Sequence, residues 1–90
     1  MNRDKILSIF PTPTKHEEIL VDLYLKGITT SDRAVEISRD EYIEKLVSQG
    51  QLLETDDGRI YLSEDGSIVA RGALILYPEL RKEKGRSLDG

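Results

Sequence analysis

The chain has no cysteine and only one histidine among its 90 residues. Without cysteine there is no disulfide framework and no thiolate metal site. Cytosol is therefore the natural compartment to expect. No run approaches the ~18 consecutive apolar residues that cross a bilayer. The opening "MNRDKILSIF" lacks a small-residue cleavage site and does not read as a signal peptide. Catalytic patterns are missing too. There is no P-loop and no glycine-rich nucleotide fingerprint. His16, at the start of a helix, reads as a solvated residue with no serine–aspartate pair to serve. Glu54, Asp56 and Asp57 cluster at a turn, but the loop lacks the further oxygens that calcium requires. The sequence points to a non-enzymatic binding domain, with no metal or cofactor expected.

Positive charge is also in short supply. Thirteen Lys and Arg face seventeen Asp and Glu, for a net charge of -4. Proteins that bind DNA draw most of their affinity from neutralising phosphate, so the balance argues against nucleic acid before any motif is read. Distribution matters more than the sum. From Gly27 to Gly50, Arg33, Arg39 and Lys45 meet Asp32, Glu36, Asp40, Glu41 and Glu44. From Gln51 to Ser63, Arg59 meets Glu54, Asp56 and Asp57.

At this length the chain forms one small domain. Ile6, Leu7, Ile9 and Phe10 make residues 1–14 an N-terminal segment that packs on the core or on a partner chain, more helix than strand. The domain proper is expected over 15–78. Thr14 caps a helix over Lys15–Lys26 that buries Ile19, Leu20, Leu23 and Tyr24 and stops at Gly27. Thr30 or Ser31 caps a short helix that turns Ala34, Val35 and Ile37 inward. Ser38 and Glu41 fit a capping box. The helix it opens, Arg39–Gln49, buries Tyr42, Ile43, Leu46 and Val47 and ends at Gly50. "QLLET" and "RIYLS" are short strands joined at Asp57-Gly58, a two-residue hairpin signal. Ser63 caps a last helix that ends before Pro78, and 79–90 is a polar, partly frayed tail. The fold class expected is mainly α with a small antiparallel hairpin, α+β.

Helices followed by "SQGQLLETDDGRIYLSEDG" resemble the winged helix-turn-helix domains of MarR-like and DtxR-like repressors, which share a helix end at glycine, a wing hairpin and a capped glycine step. The resemblance covers roughly residues 15–77. It implies a DNA-binding transcriptional regulator, whose helix before the wing enters the major groove of double-stranded DNA. Arg39, Lys45, Ser48 and Gln49 would then approach the groove and Arg59 the backbone, with Arg81, Lys82, Lys84 and Arg86 as further cations. The chain departs from the pattern in leaving too little room between Gly27 and Gly50 for a full second helix. No DtxR-like metal ligands can be matched. The plainer alternative is that Arg39 pairs with Asp40 or Asp32, and Lys45 with Glu41, on a solvated face. The same architecture would then serve as a protein-interaction module.

The last helix, "SIVARGALILYPEL", is apolar over a wider arc than one core needs. Val69, Ala73, Leu76 and Tyr77 make one apolar face, enough for a single core. Ile68, Gly72, Leu74 and Ile75 are assigned to a homodimer interface. The alternative cover for that face is the N-terminal segment of the same chain. Among the tyrosines, Tyr24, Tyr42 and Tyr77 fall on apolar faces, and Tyr61 shares the outer face of its strand with Arg59.

Overall fold

The computed structural model describes residues 12–81. It is a compact α+β domain with the element order α1 (Lys15–Leu25), a 3-10 turn (Ser31–Arg33), α2 (Glu41–Ser48), β1 (Leu52–Glu54), β2 (Ile60–Leu62) and α3 (Glu64–Leu76). A further helical turn occupies 79–81. The expectations placed on Met1–Phe10 and on Lys82, Lys84 and Arg86 lie outside the described residues.

Local chemistry sets most boundaries. Thr14 and Glu17 form a capping box: Glu17 N–H donates to Thr14 Oγ1 at 3.1 Å, and Thr14 N–H donates to Glu17 Oε1 at 2.8 Å. Gly27 and Gly50, with φ of 75° and 78°, end α1 and α2. In each case the next residue's N–H reaches back to the carbonyl five residues earlier, Ile28 to Leu23 and Gln51 to Leu46. This is the Schellman closure that a left-handed glycine permits. Ser63 caps α3 by accepting from Gly66 N–H at 3.0 Å.

The segment between α1 and α2 departs from expectation. Only a 3-10 turn forms, because Val35 N–H and C=O both bond to Ile60, at 2.9 and 2.8 Å. A helix would have kept those groups for itself, whereas β-branched Val35 and Ile37 favour extended backbone. The capping box expected at Ser38 also fails. Asp40 is the N-cap, accepting from Ile43 N–H at 3.0 Å, so α2 starts two residues late. Aspartate caps as well as serine does, and the later start leaves residues 37–39 outside any helix. One consequence is that Tyr42 is 38 % exposed rather than core, while Ile43 and Leu46 carry the buried face. The Tyr42 ring instead lies edge-on to His16, with centroids 5.3 Å apart. His16 is thus half-buried, not solvated, and its Nε2 is shielded from water without a partner among the described residues.

The hairpin register pairs Leu52 with Leu62, Leu53 with Tyr61 and Glu54 with Ile60. Its turn is one residue longer than Asp57-Gly58 suggests. Thr55 N–H donates to Arg59 C=O at 2.8 Å and Gly58 N–H to Thr55 C=O at 3.0 Å, enclosing Asp56, Asp57 and Gly58. A two-residue type I′ turn needs positive φ at Asp57. Here only Gly58 adopts it, at 87°.

The core is aliphatic: Leu20 and Val21 of α1, Leu46 of α2, Leu52 of β1, Ile60 and Leu62 of β2 and Ala70 of α3 are all but sealed. α1 and α3 form the principal helix pair over it. Tyr77 and Leu80 also belong to this cluster, so the domain continues past Pro78 instead of giving way to a solvated tail. On α3 the two faces differ from expectation at two positions. Leu74 is buried at 7 % exposure and cannot meet a partner, while Leu76 is 64 % exposed and is not core. Leu74 lies four residues after Ala70 and eight after Gly66, on the inward stripe.

Candidate functional site

The residues expected to approach a ligand come from the segment just before α2, from α2 and its end, and from the hairpin turn. Arg39 stands just before α2, where the Asp40 cap keeps it out of the helix. From there its guanidinium spans two elements, with Nε 2.6 Å from Glu44 of α2 and Nη1 3.1 Å from Glu54 of β1. Hydrogen bonds to Glu44 and then Glu54 push its pKa above the ordinary arginine value. Arg39 is therefore a clamp between α2 and β1, and neither Asp40 nor Asp32 is its partner. No sequence spacing signals this: Glu44 is five residues away, off helical register, and Glu54 fifteen.

Arg59 is held as closely. Its Nε meets Asp57 Oδ1 and Oδ2 at 3.1 and 3.0 Å, and its Nη1 donates to Ala34 C=O at 3.3 Å. The Thr55 hydroxyl also donates to Asp57. The Thr55 hydroxyl first and Arg59 second hold the Asp57 carboxyl below its ordinary value. Arg59 thus ties the hairpin turn to itself and to the segment after the 3-10 turn.

Lys45, Ser48 and Gln49 are exposed on α2 and just past its end. Ser48 Oγ donates to Lys45 C=O at 2.8 Å, which occupies its proton. No ion pair joins Lys45 to Glu41 among the described residues. Around these groups Asp32, Glu36, Asp40, Glu41, Glu44, Glu54, Asp56 and Asp57 are all exposed. An open, shallow groove between the 3-10 turn and the hairpin is lined by Ser31, Asp32, Glu54, Thr55, Asp56, Asp57, Arg59 and Tyr61. Among the described residues no three His, Cys, Asp or Glu side chains converge as metal ligands do.

Chemically, this surface offers many carboxylate acceptors and few uncommitted cations. It suits ligands that bring positive charge and N–H donors. No described helix is long and apolar enough to cross a membrane. Comparison of the chain with protein-family models, with curated proteins and with solved structures finds no match.

Proposed function

We propose that this is a binding domain of winged-helix type, with α2 as the probe and β1–β2 as the wing, whose probe-and-wing face docks a basic segment of another protein. One observation carries this reading. The two arginines placed to meet phosphate, Arg39 and Arg59, are both engaged by carboxylates of their own face. Freeing either for DNA would break those pairs and turn the released carboxylates toward phosphate. A Lys- or Arg-rich peptide meets no such obstacle. It finds open carboxylates at Asp32 and Asp56 and a groove that Tyr61 also lines.

A second reading, duplex DNA bound by a transcriptional regulator, is favoured by Lys45 and Gln49, which stand exposed on the probe. Fluorescence anisotropy separates the two. Under the first, a labelled oligo-arginine peptide binds at low salt, binding weakens as salt is added, and Asp32→Asn with Asp56→Asn weakens it further, while mixed-sequence duplex gives no signal. Duplex binding that falls steeply with salt and drops on Lys45→Ala establishes the second.

A further inference from the structure

The side of α3 that faces away from the core carries exposed aliphatic residues, flanked by Arg71 and, in the first turn, by Glu64 and Asp65. Ile68, Ile75 and Leu76 are 52 %, 80 % and 64 % exposed. With Gly72 they fall at i, i+4, i+7 and i+8, one stripe along the helix. Gly72 has no role that its neighbours among the described residues explain. A Cβ built there meets nothing within 4 Å, and its φ is not one that demands glycine. In mid-helix, glycine weakens the helix relative to alanine. Its one local merit is to let another backbone come close.

The stripe also has its own symmetry. Ile68 and Leu76 lie four residues either side of Gly72. A two-fold axis through Gly72, with the helices antiparallel, sets each Ile68 against the partner's Leu76. That self-complementarity is what an isologous contact requires. We propose that two copies of this chain associate through α3, crossing at Gly72, with Ile68, Ile75 and Leu76 as the apolar contact. Leu74 takes no part, being core. The inference does not rest on the probe-and-wing reading.

Size sets the strength. Three partly exposed aliphatic side chains offer on the order of 300 Å², against ~800 Å² per partner in a standard stable interface. The stripe alone therefore makes a weak, reversible dimer. Salt distinguishes it from the peptide interaction. Each copy carries a net charge of -4, so screening the mutual repulsion strengthens the dimer while it weakens an ionic contact.

Sedimentation equilibrium of the full chain, from low micromolar to near-millimolar concentration, tests this. The mean mass rises toward twice the monomer, more so with added salt. Ile75→Glu weakens association at least about tenfold. Gly72→Ala raises the thermal midpoint of the dilute monomer yet weakens association, two opposed effects that only a close crossing at Gly72 produces. A mass that stays monomeric throughout overturns the proposal. So does a dimer indifferent to Ile75→Glu, or a Gly72→Ala chain that associates more tightly. A monomeric wild type that Ile75→Glu destabilises would mean that the chain covers its own stripe, and also overturns it.

Discussion

The base and the tip of the hairpin are built from different physics. At the base, Leu52 and Leu62 face each other almost fully sealed. The Ser63 hydroxyl donates to Gly50 C=O at 2.6 Å while its oxygen accepts from Gly66 N–H, and Ser63 N–H donates to Gln51 C=O. The Ser63 side chain thus joins the end of α2 to the start of α3, while its backbone N–H closes the base of the hairpin onto Gln51. Gly66 completes the joint, because a Cβ there would overlap the Gln51 carbonyl oxygen and come within 2.9 Å of Leu62 Cδ2. At the tip, Asp56, Asp57 and Gly58 are exposed, and the bonds of Asp57 to Thr55 and Arg59 form in water. The base is dry and hydrogen-bonded, so it fixes the fold. The tip is wet and charged, so it contributes little to stability and remains free to meet a ligand.

That contrast can be broken at the base first. Gly66→Ala should cost about 1–3 kcal/mol or more, as overpacking against backbone does, read as a lowered denaturation midpoint. An unchanged midpoint would show that the joint is looser than the geometry requires. Ser63→Ala comes next, at about 1–2 kcal/mol for a cap whose hydroxyl also satisfies the Gly50 carbonyl at the end of α2; the same denaturation series reports it, and a loss within error refutes the joint. Moving outward, Gly58→Ala should cost about 1 kcal/mol, because its left-handed φ strains any Cβ. The cost should fall on thermal stability with the far-ultraviolet spectrum unchanged.

The smallest effect sharpens the comparison at the tip, through pH. The Asp57 carboxyl is held below its ordinary value of 3.8 by Thr55 and Arg59. A group depressed in the folded state adds stability that is present above its unfolded pKa and lost as pH falls through the folded one. The contribution is therefore complete at neutral pH and fades below about pH 4. Carboxyl NMR should place the Asp57 midpoint below 3.8, and Asp57→Asn should flatten the acid limb of the stability curve. A midpoint at or above 3.8 would mean that the turn's ion pair does not persist in solution.

Much of this could be read along the chain, because the signals are local. Thr14, Gly27, Gly50, Ser63 and Pro78 mark helix ends through bonds or dihedral angles that involve residues only a few positions away. The α+β class and the hairpin follow from the switch in apolar period between Gln49 and Ser63. The candidate cations were legible as residues, but their partners were not.

What tertiary structure decided were the choices between near-equal local options. Ser38 and Asp40 are comparable caps, and Asp40 prevails in a fold that keeps 37–39 out of the helix and sends Arg39 across to Glu54. The segment after Thr30 had a helical option, but Val35 bonds twice to Ile60, 25 residues away. On α3 both sides are apolar enough to be core, and packing buried Leu74 and left Leu76 outside. Local preferences of this kind differ by well under ~1 kcal/mol per residue, so a single long-range hydrogen bond or buried side chain is enough to choose between them.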